Sequence, residues 1–132
     1  MGLATARIVG RDHALVLCDV RADRLEPAVA TLSEAGIEAT PFHGDVTDRD
    51  AVTRLFETAA ALGPIASVIH TAGVSPSMGD ADYIMTTNAL GTLHVNEVFF
   101  AVAGQGAAIV NVASMASHML PDEIVPTQHF DV

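Results

Sequence analysis

Basic residues are scarce in this sequence. Only six of 132 residues are lysine or arginine, against sixteen acids, which leaves a formal net charge of −10. The six are scattered, so the basic stripe of a nucleic-acid-binding surface is missing and no nucleic-acid partner is expected. The acidity reads as that of a well-solvated surface. Cysteine occurs once, as Cys18 inside "ALVLCDV". It cannot form an internal disulfide, and it is expected to act as a small buried hydrophobe. Such cysteine usage fits a reducing compartment, so a cytoplasmic location is expected. The longest apolar runs are strand-sized, so no membrane span is expected. The N-terminus lacks the regions of a secretory signal. No internal repeat or low-complexity tract is visible.

Half of the residues are hydrophobic. That suffices for one domain with a real core, and the length is too small for two ordinary domains. Residues 3–10 predict a short helix ending near Gly10. "HALVLCDV" (13–20) predicts a buried strand. Residues 21–36 have helical spacing, with Leu25, Val29 and Leu32 on one side. Pro27 fits only near the first turn of that helix, and Gly36 is a helix-ending residue. "IEATPFHGDV" (37–46) predicts a short strand and a turn. Thr47 is placed to cap the following helix, whose apolar face is Val52, Leu55, Phe56, Ala59 and Leu62. "PIASVIHTAG" (64–73) predicts a third strand and residues 83–103 one long helix. "GAAIVNVAS" predicts a fourth strand, read as buried, which stops on Ser114. The stretch 118–132 holds two prolines and no clear period.

Continuous apolar strands alternating with helices point to an α/β fold, a parallel sheet with helices on both faces. Ligands of such sheets sit at the carboxyl ends of the strands, so the residues there are the candidates for chemistry. Asp19 closes the first visible strand. It can accept hydrogen bonds from both hydroxyls of an adenosine ribose, or it can simply favour the positive end of the next helix. Asp45 in "GDVTD" can accept from an adenine amino group with the Val46 backbone beside it, or it can form a turn. Ala72 and Gly73 in "HTAGVS" leave room for a flat ligand at the strand end, or serve an ordinary turn. Asn88, within the long helix, needs partners for its amide: a backbone carbonyl, a water or solvent. The six histidines, at 13, 43, 70, 94, 118 and 129, show no ligand-like spacing, so no metal site is expected.

Asp19 after "ALVLC", then "GDVTD", "HTAG", Asn88 in "TTNALGT" and "IVNVASMAS" stand in the order and approximate spacing of the short-chain dehydrogenase/reductase family. The sequence resembles that family over roughly residues 2–120. The resemblance implies a Rossmann-like, doubly wound parallel sheet. The span 1–132 is then a single, incomplete dinucleotide-binding domain, with 118–132 a loop or the start of an insertion. Departures are equally specific. The family opens with a strand and a Thr-Gly-x-x-x-Gly-x-Gly loop, and here Gly2 would be its last glycine. The family's "NNAG" is "HTAG", which puts His70 and Thr71 in place of two asparagines. The Tyr-x-x-x-Lys pair is missing: Thr127 stands where the tyrosine is expected, and the one tyrosine is Tyr83. Both ends therefore read as stopping inside motifs of a longer enzyme.

By resemblance, the cofactor-binding residues are Gly2, Asp19, Asp45, Val46, Thr71, Ala72 and Gly73. Ser114 would hold the substrate oxygen, and Asn88 would anchor a water of the proton relay. The implied activity is NAD(H)-dependent interconversion of an alcohol and a ketone, hydroxysteroid-dehydrogenase-like at family level. The implied partners are a small alcohol or ketone and further copies in a dimer or tetramer. The alternative is a catalytically inactive dinucleotide-binding sensor or scaffold of the same fold. In the Rossmann strand order 3-2-1-4-5-6, the absent first strand belongs between "HALVLCDV" and "SVIHTAG".

Overall fold

The computed structural model of the chain describes residues 1–115 and 119, so the stretch 118–132 lies, but for Met119, outside the described residues. The element order is α1 (Gly2–Val9), β1 (Leu15–Asp19), α2 (Ala22–Glu34), β2 (Ala39–His43), α3 (Arg49–Leu62), β3 (Ser67–His70), α4 (Ala81–Met85), a π-helical turn (Thr86–Leu90), α5 (Gly91–Val102) and β4 (Ala108–Asn111). The strands pair in parallel, as expected of strands joined by crossover helices. β1 and β2 run in register from Leu15↔Ala39 to Asp19↔His43. β3 and β4 run from Ser67↔Ala108 to His70↔Asn111. Among the described residues these form two separate two-stranded ladders rather than one sheet. β2 is an edge strand, which is where a sheet accommodates a proline such as Pro41.

Each ladder has its own apolar layer. Ala6 of α1, Leu32 of α2 and Ile37 pack with Leu15, Leu17 and Ala39 of the first ladder. Val52 and Phe56 of α3 and Val95, Val98 and Phe99 of α5 pack with Val68 and Ile109 of the second. Helices thus cover the two ladders in the doubly wound manner. A cleft of about 980 Å³ separates the ladders, lined by β1 on one side and β3 on the other. This opening corrects the reading of the strands as buried. β1 is largely half-buried and its Cys18 is exposed. On β4, Val110 is 50% exposed. An apolar run shows that a strand needs cover on both faces, not that the cover is present.

Several local expectations shift. Asp48, not Thr47, caps α3: its Oδ1 accepts from the N–H groups of Asp50 at 2.9 Å and Ala51 at 3.2 Å. The Thr47 N–H is itself held by Asp45 Oδ1 at 2.9 Å, which moves the helix start on by one residue. A carboxylate there also suits the positive end of the helix. Pro27 lies inside α2, beyond the first turn, on an exposed side where water can replace the lost bond. The expected helix 83–103 begins earlier, at Ala81, and passes through the π turn before Gly91. Leu62, expected on the packed face of α3, is 51% exposed. Gly36, with φ +73°, closes α2 where other residues would be strained. No helix among the described residues is long and apolar enough to cross a membrane.

Candidate functional site at the carboxyl ends of the strands

The polar residues gather at one mouth because both ladders point the same way. Gly10, at the end of α1, lies against Leu15 at the start of β1, while Gly2, at the beginning of α1, lies against Thr71 just past β3. α1 therefore runs back along β1, and its first residue reaches the carboxyl end of β3. A Cβ on Gly2 would stand 3.1 Å from Thr71 Oγ1. Glycine keeps that approach open.

Asp19 ends β1, and its Oδ1 accepts the Arg21 N–H at 2.8 Å. The Arg21 guanidinium forks onto Asp23, Nη2 to Oδ2 at 2.6 Å and Nε to Oδ1 at 3.1 Å. Next to Asp19, the Cys18 thiol lies 3.6 Å from the Gly44 carbonyl. It is exposed at the cleft, contrary to the buried position read from the sequence. Its apolar surroundings push its pKa up to about 11, and the charges of Asp19 and Asp45 add to this. Asp45 forms the turn that holds Thr47. The Val46 carbonyl receives the Nδ1–H of His94 at 3.1 Å, and the Val46 side chain packs on Gly91 at the start of α5.

Past β3, Ala72 and Gly73 are exposed and Thr71 is half-buried. Asn88 is exposed rather than sunk in a buried helix. Its amide closes a clamp on one residue of the following loop, with Oδ1 accepting the Val74 N–H at 2.8 Å and Nδ2 donating to the Val74 carbonyl at 2.9 Å. A Cβ on Gly73 would sit 3.4 Å from Asn88 Oδ1. Behind the clamp, the Thr92 hydroxyl donates to the Asn88 carbonyl at 2.7 Å. His70 Nε2 lies 3.0 Å from the same hydroxyl oxygen. That hydroxyl's single proton is already used, so Nε2–H is the donor and His70 is the Nε2–H tautomer. Burial lowers the His70 pKa, which keeps the ring neutral. Ser114 is exposed beyond the end of β4. It lies three residues past Asn111, as Gly73 lies three past His70, and those two residues are paired.

The mouth thus gathers Gly2, Asp19, Asp45, Val46 and Thr71–Gly73, with Asn88 adjoining Gly73 and Ser114 three residues past the end of the neighbouring strand. Sequence reading missed the His70–Thr92–Asn88 chain and the His94–Val46 bond. The exchange of asparagine for His70 in "HTAG" was the one available signal. No group of three or more His, Cys, Asp or Glu residues able to hold a metal occurs among the described residues. All six basic residues are arginines, so the chain offers no lysine.

Comparison with known proteins identifies the family and the fold. A family model described as short chain dehydrogenase matches residues 1–125. The chain is 34% identical to gluconate 5-dehydrogenase of Gluconobacter oxydans (strain 621H), over 96% of this chain and 54% of that protein. It is 31% identical to C alpha-dehydrogenase of Sphingobium sp. (strain NBRC 103272 / SYK-6), over 89% of this chain and 43% of that protein. It superposes on NAD+-bound xylitol dehydrogenase with a TM-score of 0.76 at 30% identity, over 91% of this chain and 51% of that one. The chain spans about half the length of the curated relatives it matches. With the match running from the start of α1 to beyond Ser114, the chain belongs to the short-chain dehydrogenase family.

Proposed function

We propose that this site holds the adenosine half of NAD(H), and that the complete protein interconverts a secondary alcohol and a ketone. The observation that carries the reading is Asp19 at the mouth. With Oδ1 fixed by the Arg21 N–H, Oδ2 is left to accept from a ribose diol, and its charge opposes a 2′-phosphate. The exposed Arg21–Asp23 pair is too weak to withhold Arg21, so the preference rests on the charge of Asp19. The lack of a side chain at Gly2, where a Cβ would stand 3.1 Å from Thr71 Oγ1, and at Gly73 supports the close approach of a dinucleotide at the mouth. Asp45 and the Val46 N–H suit an adenine edge, and Thr71, Ala72 and Gly73 suit the close approach of the cofactor. The NAD+ bound to xylitol dehydrogenase and the dehydrogenase names of the relatives support the reading.

The bound cofactor supplies the hydride. Ser114 donates a hydrogen bond to the substrate oxygen and so stabilises charge developing there. Removing such a donor typically slows turnover about 10²–10³-fold. Asn88, locked by Val74, holds its carbonyl fixed, and that carbonyl anchors a relay water. A small alcohol or ketone is the substrate class, and a homo-oligomer, dimer or tetramer, is the assembly. Exposed Leu93 (50%) and Phe100 (71%) on α5 support the assembly. The second reading is an inactive dinucleotide-binding sensor or scaffold of the same fold. Titration of the complete protein with NADH and NADPH tests the cofactor: NADH binds tighter, and tighter NADPH binding defeats the reading of Asp19. Turnover of secondary alcohols separates the enzyme from the sensor, which binds NADH without turnover.

A further inference from the structure

The reaction proposed above gives no part to His70, a titratable side chain that is only 7% exposed. His70 closes β3, and its backbone is fixed there. It pairs with Asn111 of β4, and its carbonyl accepts the Val112 N–H at 3.0 Å. From this platform the ring crosses to α5, where Nε2 donates to the Thr92 hydroxyl oxygen at 3.0 Å. Thr92 in turn donates to the Asn88 carbonyl at 2.7 Å. Thr5, Thr31, Thr53 and Thr58 bond the carbonyl four residues back in the same way, at 2.8 to 3.4 Å. Thr92 makes the shortest of these bonds, and its oxygen also accepts from a buried ring. A hydroxyl that accepts a hydrogen bond becomes a stronger donor, so the two bonds reinforce each other.

This chain of bonds ends where the helix is irregular. Asn88 lies in the π turn Thr86–Leu90, in which the Gly91 N–H reaches back to the Thr86 carbonyl. Such turns are rare and occur frequently at functional sites. Asn88 is held at two points. Thr92 fixes its carbonyl, and Val74 takes both ends of its amide, at 2.8 and 2.9 Å. Val74 directly follows Gly73, so the same clamp sets the loop beside the mouth. Resting on the proposed reaction, we propose that His70 is a positioning residue for Asn88. Acting through Thr92, it holds the carbonyl that anchors the relay water and keeps the Val74 clamp closed. It touches neither substrate nor cofactor in this role. The requirement is an N–H at the Nε2 position. Glutamine carries its amide nitrogen at a similar reach and can meet it. Leucine offers no donor, and the amide of asparagine is too short to reach Thr92.

The experiment uses the complete protein and compares His70→Leu, His70→Gln, Thr92→Val and the double variant His70→Leu/Thr92→Val. Hydrogen exchange of the Val74 N–H is followed by nuclear magnetic resonance, and kcat and KM are measured with a secondary alcohol. A loop amide exchanges through local opening, which a general loss of stability does not move. His70→Leu and Thr92→Val should each speed that exchange about tenfold and lower kcat about tenfold, the worth of one lost hydrogen bond. KM should stay within about threefold, as expected when the lost interaction acts in the transition state. The double variant should be no worse than either single one, because both break the same chain. His70→Gln should keep both readouts within about threefold of wild type. Wild-type exchange and kcat in His70→Leu would overturn the proposal. Equal effects of leucine and glutamine would also overturn it, since they would mark a packing role, and so would effects that multiply in the double variant. If His70→Leu does not fold, His70→Asn takes its place with the same expected losses, and wild-type values there would overturn the proposal. The two readouts separate this inference from the reaction it rests on. Faster Val74 exchange in the variants of a protein without turnover would refute the reaction and leave the hold of His70 on Asn88 standing. Unchanged exchange in an active enzyme would refute the role of His70 alone.

Discussion

Gly91→Ala should change the sign of its effect with the identity of residue 46. Gly91 has helical angles, φ −59° and ψ −42°, so alanine brings no backbone strain there. In a helix interior the exchange gains about 1 kcal/mol. Against that, the new Cβ would lie 2.6 Å from Val46 Cγ2, 3.3 Å from Val46 Cβ and 3.6 Å from the Val46 carbonyl carbon. Val46 has little freedom to yield. It is β-branched and stiff at χ1, its side chain packs against the second core cluster, and its carbonyl is tied to His94. Overpacking of this kind costs about 1–3 kcal/mol, so the net result is a loss of about 1 kcal/mol. In a Val46→Ala background the 2.6 Å neighbour is gone and the nearest remaining atom is at 3.3 Å. Gly91→Ala should then stabilise by up to about 1 kcal/mol, giving a coupling of about 2 kcal/mol across the pair. Urea unfolding of the four proteins, followed by far-ultraviolet circular dichroism, measures the cycle. Equal stabilisation in both backgrounds would show that Val46 does not press on Gly91.

Two further predictions concern titration. Burial depresses the His70 pKa below the ordinary 6.5, so the unfolded chain binds the proton more readily. The contribution is fully present above pH 6.5 and is lost as pH falls below it. The unfolding midpoint of the wild type should therefore fall more steeply between pH 7.5 and 5.5 than that of His70→Asn, and parallel curves would contradict the assignment. Cys18 is exposed, yet its pKa is raised from 9.0 to about 11. At pH 8 its alkylation by iodoacetamide should be roughly a hundredfold slower in the folded chain than in urea, because only the thiolate reacts. A folded rate within a few-fold of the unfolded one would mean that the thiol is not shielded.

What the sequence determined by itself was local or ordinal. Leu25 and Leu32, like Val52 and Phe56, recur at helical spacing, and these are buried in α2 and α3. The apolar runs around Leu17, Val68 and Ile109 became parallel strands, and the order of Asp19, "GDVTD", "HTAG", Asn88 and Ser114 led to the family. These features were legible because periodicity and motif order need no knowledge of which distant residues meet. The tertiary structure decided the rest, because it depends on contacts between residues far apart in the chain. His70 with Thr92, His94 with Val46, and Asn88 with Val74 are separated by 22, 48 and 14 residues. None has a local signature. The cap of α3 moved to Asp48 because Asp45 took the Thr47 N–H, a competition between neighbours that propensity alone does not rank. The gap beside β1 was legible from motif order, which places an absent strand between "HALVLCDV" and "SVIHTAG", and the two ladders stand apart there; composition alone did not show it. An apolar strand reports the cover that it requires, and only the packing of the other elements decides whether that cover is there.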